Sequence, residues 1–358
     1  MTKQTLIEDV RIFDGERVTG TGGVLIDGAE ITHVAPRIPR RPGWEIVPGD
    51  GRTLLPGLID AHTHAATAEH LRKALVQGTT TCLNMFSYPL AELAALREAA
   101  ASRDDVAGLR SSGILASVPG GPPDVPGLPK VSGPEEAEAF VAARAAEGSD
   151  YIKIVLADPA TPALAPETVR ALVTAAARRG LLTVAHAPRH AAAQVALDAG
   201  VDMITHAPLD TPLTPAFART MAGAGRTAVP TLTMMRRMAD TYGLSYEAAR
   251  DSVGALHQAG VPILAGTDAN EGGGPALVPF GEAMHDELAL LVEAGLTETQ
   301  ALAAATSLPA RHFGLRDRGR IAPGARADLL LVDGDPTAAI AATRDLAGVW
   351  RRGVRVRT

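Results

Sequence analysis

The sequence predicts an α/β fold: a (β/α)8 TIM barrel carrying a small β-sandwich domain formed by the N- and C-terminal segments. Three observations predict it. Eight short apolar runs of strand character alternate with helical segments through the middle of the chain. Both ends are instead rich in short β-type runs broken by Asp-Gly turn signals. The length of 358 residues suits one barrel of about 250 residues plus a smaller companion.

The first strand-like runs are 5–13, 23–26 and 30–34, separated by Asp14-Gly15 and Asp27-Gly28. At the far end, 326–332 and 347–356 repeat that texture around Asp333-Gly334. Two β-rich ends of this kind are expected to meet as one sandwich. Its expected parts are 1–53 and 318–358, with the barrel over 54–317. The expected barrel strands are 54–60, 80–85, 107–116, 151–156, 182–186, 202–206, 227–231 and 262–268. Ala-rich stretches of helical spacing, such as 91–101, 135–146 and 166–179, lie between them. The third strand is followed by a loop dense in Pro and Gly, 118–134, which reads as a lid, a substrate wall or a plain connector. A Gly-rich loop, 270–275, follows the eighth.

Composition narrows the function classes. With 46% hydrophobic and 21% charged residues the chain can bury a sizeable core, and disorder is not indicated. A net charge of -6 with no basic stripe argues against nucleic acid held through phosphates, so a small-molecule substrate is expected. Cys82 is the single cysteine, which rules out an intrachain disulfide and a thiolate metal site and suits a small buried apolar residue. No run of about 18 apolar residues occurs, and the first ten residues lack a signal-peptide core. No membrane partner and a cytoplasmic location are therefore expected, and a homo-oligomer is left open.

Nearly every chemistry-bearing residue falls at the C-terminal end of an expected strand, on the face where the β-to-α loops of such a barrel build an active site. His62 and His64 follow the first strand, and residues two apart in an extended chain point to one side. Neutral imidazole is a common ligand for zinc and similar metals, although an isolated pair reads equally well as two polar turn residues. His186, His206 and Asp268 end the fifth, sixth and eighth strands, and the repeated coincidence favours a metal site. Lys153 lies within the apolar run Tyr151-Ile152-Lys153-Ile154-Val155. An ammonium there must be compensated. It either snorkels or pairs with a carboxylate, or it loses its proton and reacts with carbon dioxide to give an anionic carbamate that can bridge two cations.

Across nearly its whole length the chain resembles the amidohydrolase superfamily. The resemblance rests on Pro56-Gly57-Leu58-Ile59-Asp60-Ala61-His62-Thr63-His64, Lys153, His186, His206 and Gly266-Thr267-Asp268-Ala269. A closing Gly319-Arg320-Ile321-Ala322-Pro323-Gly324-Ala325-Arg326-Ala327-Asp328-Leu329 adds to it. The resemblance implies two divalent metal ions, with zinc expected. His62, His64 and Asp268 would hold one, His186 and His206 the other, and carbamylated Lys153 would bridge them. It also implies a metal-dependent amidohydrolase that cleaves an amide-type C–N bond, in a linear amide, dipeptide or cyclic amide, with a metal-bridging hydroxide. Asp268 would serve as proton shuttle, with His206 and Lys153 as further catalytic groups. The chain is most similar to the branch of imidazolonepropionase-like enzymes and Xaa-Pro and Xaa-Arg dipeptidases. Where those dipeptidases often carry a histidine after a Gly-Gly pair, Gly120-Gly121 precedes Pro122-Pro123 here, which bears on substrate recognition. The alternatives are a deaminase or an ester or carbamate hydrolase using the same site, and, further off, a non-catalytic scaffold.

The remaining candidates carry two readings each. Asp60 either supports a ligand imidazole or caps the turn. Arg189 and Arg236 either bind a substrate carboxylate or form surface ion pairs. Met85, Phe86, Tyr88, Met234 and Met235 are cavity walls or packing. His190 is expected on the helix after the fifth strand, as a solvent-facing or rim residue, and His33, His70, His257, His285 and His312 are read as structural.

Overall fold

The computed structural model describes residues 4–156, 161–272 and 276–357. The chain opens with strands β1 (Gln4–Phe13), β2 (Val18–Asp27), β3 (Glu30–Ala35), β4 (Glu45–Pro48) and β5 (Thr53–Pro56). Seven parallel strands follow: β6 (Leu58–Thr63), β7 (Thr79–Asn84), β8 (Gly108–Ser111), β9 (Ile152–Val155), β10 (Thr183–His186), β11 (Met203–Thr205) and β12 (Thr227–Val229). The C-terminus adds β13 (Leu329–Val332), β14 (Leu346–Arg351) and β15 (Val354–Arg357).

The two ends share one sheet of eight strands, ordered β15-β14-β13-β5-β1-β2-β3, with β4 also paired to β1. The strands from both ends, expected to meet as one companion domain, are hydrogen-bonded into one sheet, because β5 joins β1 on one side and β13 on the other. It has its own core, in which Trp350 packs with Ile12, Val24, Leu329 and Leu331. The run expected as one strand over 54–60 divides at Gly57. A Cβ there would lie 2.3 Å from the Thr80 hydroxyl oxygen, so only glycine lets the chain pass from the terminal sheet into β6.

The parallel strands form two sheets, β6-β7-β8 and β12-β11-β10-β9. Bridges join the pieces. Ala116 pairs with Ile154, and its N–H donates to the Lys153 carbonyl at 2.8 Å. Ala228 pairs with Ile263, and Thr63 pairs with Ala269. The eighth expected strand, 262–268, therefore bonds to β12 on one side and β6 on the other without forming a continuous ladder. Pro262 has no N–H to give, and Asp268 turns to a φ of 60°. Gly266 allows the close approach, since a Cβ there would lie 2.9 Å from the His62 nitrogen.

Alternate side chains of these strands, including Ile59, Leu83, Val184, Met203, Val229 and Leu264, pack together as one cluster. Helices such as Ala68–Val76, Pro166–Ala177 and Glu282–Glu293 bury Leu71, Leu172 and Leu288 against the outer faces. Among the described residues, no helix is long and apolar enough to cross a membrane.

Candidate metal centre

All six predicted ligands line one cavity of about 730 Å³. His62 and His64 leave the end of β6 and converge on Asp268, their Nε2 atoms 3.5 and 3.0 Å from its Oδ1. Ligand atoms of these three residues all lie within 4.8 Å of one another. His186, from β10, faces His206 across 2.7 Å between Nδ1 and Nε2, and the His206 Nδ1 meets the Thr231 hydroxyl at 2.8 Å. The rings of His62 and His206 are 5.0 Å apart, which makes the two groups one cluster. Lys153 reaches it from β9. Its Nζ lies 3.5 Å from His62 Nε2 and donates to Thr205 Oγ1 at 3.2 Å.

Backbone geometry helps to aim these groups. His206, Thr231 and Asp268 have φ values of 66°, 50° and 60°. The left-handed region costs an ordinary residue about 1–2 kcal/mol, so the surrounding strands must hold these turns in place.

Burial sets the electrostatics. It pushes the imidazoles of His62 and His206 well below their usual range and that of His186 to about 3, with nearby positive charge adding to the effect. The imidazoles are thereby kept neutral, which is their ligating form. Burial also lowers the Lys153 ammonium to about 7, with Asp268 opposing the shift. The donor set fits a divalent cation. Imidazole nitrogens and one carboxylate face a common space, a combination favoured by zinc and its neighbours. His62 Nδ1 is buried without a hydrogen-bond partner among the described residues, which leaves the ring oriented by its position in β6.

A family model for the amidohydrolase family matches residues 53–356. The chain belongs to the amidohydrolase family. Imidazolonepropionase of Salinispora arenicola is 28% identical over 379 aligned residues, covering 89% of this chain and 90% of that one. The solved structure of a Xaa-Pro dipeptidase with methionine bound in its active site superimposes with a TM-score of 0.86 at 24% identity, covering 99% of this chain and all of the other. Molinate hydrolase superimposes at 0.83 with 18% identity, over 99% of this chain and 94% of its own. At such identities the two structures speak to the fold.

Around the cluster, this amidohydrolase uses residues that the sequence does not single out. Thr205 both accepts from Lys153 and donates to the Ala185 carbonyl at 3.0 Å. Buried Asn84 accepts from Ala65 N–H at 2.6 Å and donates to the Phe86 carbonyl at 3.0 Å, which ties the loop after His64 to the cavity wall. Glu287 accepts from the N–H groups of Leu232 and Thr233 at 3.0 and 2.7 Å, anchoring the helix Leu232–Tyr242 that follows Thr231. Threonines in strands and a glutamate in a helix are ordinary sequence features. Only the three-dimensional arrangement marks them.

Among the described residues Asp60 hydrogen-bonds no imidazole; it accepts from the N–H groups of His62 and Thr267 at 3.1 and 3.0 Å and from the Thr267 hydroxyl at 2.6 Å. Burial raises its carboxyl to about 7, against the pull of these donors. Arg236 pairs with Glu293 at 3.1 Å and stacks on Tyr246. Phe86, Tyr88, Met234 and Met235 line the cavity, whereas Met85 is fully buried outside it. Pro122, Pro123 and Val125 make the 118–134 loop part of the wall. The Gly-rich loop contributes Asn270, Glu271 and Gly272, and its residues 273–275 lie outside the described ones. His285 bonds the Thr343 hydroxyl and the Gln77 carbonyl at 3.1 and 3.0 Å, a structural role. His190 begins the helix His190–Ala199 and bonds the Pro212 carbonyl at 3.0 Å. Cys82 is buried, as its apolar reading requires.

Proposed function

We propose that this amidohydrolase cleaves an amide-type C–N bond, in a linear amide, a dipeptide or a cyclic amide, with two divalent cations, zinc foremost. His62, His64, His186, His206, Asp268 and Lys153 would hold them. The observation that carries the reading is the convergence of all six side chains on one cavity, with the three most buried imidazoles kept neutral. Around this centre we read the two parallel sheets and the 262–268 segment as one closed (β/α)8 barrel spanning 54–317, with 1–53 and 318–358 as its companion domain. The bridges to Ala116, Ile263 and Ala269 and the shared cluster of inward side chains support it.

The cations would supply an acidified water and a polarised carbonyl. The protein's own groups do the rest. Lys153, lowered to about 7, presents a substantial fraction of free amine near neutral pH. Its nitrogen can add to carbon dioxide, losing one proton and forming a carbamate whose two oxygens suit a bridging role. Asp268 is the one carboxylate among the proposed ligands and lies beside His62 and His64. It takes a proton from water and returns it to the leaving nitrogen as the C–N bond breaks and a C–O bond forms, giving an amine and a carboxylic acid.

Elemental analysis of protein loaded with zinc and bicarbonate should give two metal equivalents per chain, and a panel of dipeptides, anilides, lactams and carbamates should give turnover of an amide. A stoichiometry that never exceeds one overturns the dinuclear centre. Turnover confined to carbamates, esters or amino-heterocycles overturns the amidase reading.

A further inference from the structure

We propose that the substrate is uncharged and lipophilic at the end remote from its scissile carbonyl, and that the cavity rejects a carboxylate there. This deepens, and rests on, the hydrolase reading above. The proposed ligands are gathered on the cavity floor, whereas Phe86, Leu93, Leu115, Val125, Met234 and Met238 supply apolar wall surface, with Glu92 and Glu271 as the acidic residues of the remaining lining. Among the described lining residues, Lys153 is the single lysine or arginine, and it is engaged on the floor with His62 and Thr205.

Several cations near the walls in sequence are committed elsewhere, and Arg237, next to Met238, is not part of the lining. Lys130, in the wall loop, donates to the carbonyls of Gly121 and Pro123 at 2.8 and 2.9 Å. Arg236 pairs with Glu293, and Lys73 pairs with Glu271. Arg189 follows the lining residue Pro188 but is not itself part of the lining. The segments 157–160 and 273–275, outside the described residues, contain no Lys, Arg or His in their sequence. The acidic residues Glu92 and Glu271, by contrast, belong to the lining.

A substrate carboxylate entering these walls would lose its hydration without gaining a guanidinium or ammonium partner from the described lining, and it would meet the like charge of Glu92. An aryl or alkyl group loses nothing comparable and gains apolar contact. The balance selects neutral, lipophilic amides over dipeptides and N-acyl amino acids whose free carboxylate would have to sit against the walls.

The test uses N-acyl anilides bearing a 4-(3-oxobutyl) or a 4-(2-carboxyethyl) group, in which two methylenes separate the carbonyl from the ring, so the leaving anilines are electronically alike and the compounds differ in charge. Both kcat/KM and the calorimetric Kd are measured on the metal-loaded protein. The neutral compound should be favoured by at least about tenfold in each measure. Met238→Arg, which places a cation in the wall, should narrow that gap by about tenfold. Equal or better binding of the carboxylate overturns the proposal and leaves the amidase reading standing. Binding of neither compound overturns the proposal, as does an unchanged gap in a folded Met238→Arg protein. Tighter binding of the neutral compound with no turnover of either sustains the proposal and counts against the hydrolase reading.

Discussion

The floor and the walls of the cavity are built on opposite principles. Floor residues sit within strands or just beyond their ends, so a side chain such as His186 or Lys153 is held by backbone pairing on both flanks. Wall residues come mostly from loops and helix starts: Phe86 and Tyr88 after β7, Pro122 and Val125 in the 118–134 loop, Met234 and Met235 in the helix Leu232–Tyr242. Strand ends offer fixed direction and few alternatives, which suits chemistry that fails when a group moves by an ångström. Loops offer shape that can vary without disturbing that geometry.

If the comparison holds, the largest effects belong to the floor. Asp268→Asn keeps size and one ligating oxygen but cannot take up the proton, so kcat should fall by roughly 10²- to 10⁴-fold with the fold intact. Near-normal kcat with full metal content would move the shuttle role to another group. Lys153→Ala should remove most activity and lower metal content, with partial return on adding short carboxylic acids to the buffer. Full activity without them would make this lysine structural.

Wall truncation should act differently. Phe86 is half-buried at the cavity, and removing its ring should raise KM for an apolar substrate by about tenfold while leaving kcat within a few-fold. A loss in kcat instead would mean that the walls also position the reacting atoms.

Glu287 lies behind both regions, and its effect should appear in stability. Burial raises its carboxyl from the usual 4.5 to about 8, so the folded chain retains a proton that the unfolded chain has lost. That contribution is complete below about 4.5 and disappears as pH rises to about 8. Glu287→Gln, neutral throughout, should show a flatter dependence of Tm on pH across this window. Parallel curves for the two proteins would place the charge elsewhere. The smallest effect belongs to Arg236, whose partner Glu293 is also exposed: Arg236→Ala should cost less than about 1 kcal/mol and leave KM unchanged.

The floor is far more legible in the sequence than the walls, for a physical reason. His-x-His after an apolar run, or a lysine inside one, departs from what a buried strand normally contains, so the residue type itself is the signal. A wall leucine or methionine is indistinguishable from packing until its neighbours are known: Met85 and Phe86 are adjacent, yet the first is core and the second lines the cavity. The same holds for Thr205, Thr231 and Glu287, whose importance lies in a partner far away in sequence. In the fold, apolar runs identify the parallel strands. The break at Gly57 depends on contact with Thr80, and the loose pairing of 262–268 depends on both neighbours at once, so neither is visible along the chain.

Asp60 links the first of the parallel strands to the last segment, gripping Thr267 across a separation of 207 residues. At a synthesis rate of about 5–20 residues per second, His62 and His64 leave the ribosome roughly 10–40 s before Asp268 does. During that interval the nascent chain carries an exposed His-x-His pair with no aspartate to complete its set. The order of synthesis therefore makes the proposed metal seat a late product of folding: its third ligand comes into reach only when the 262–268 segment docks on β6, through the Asp60–Thr267 clasp and the bond from the Asp268 N–H to the His62 carbonyl.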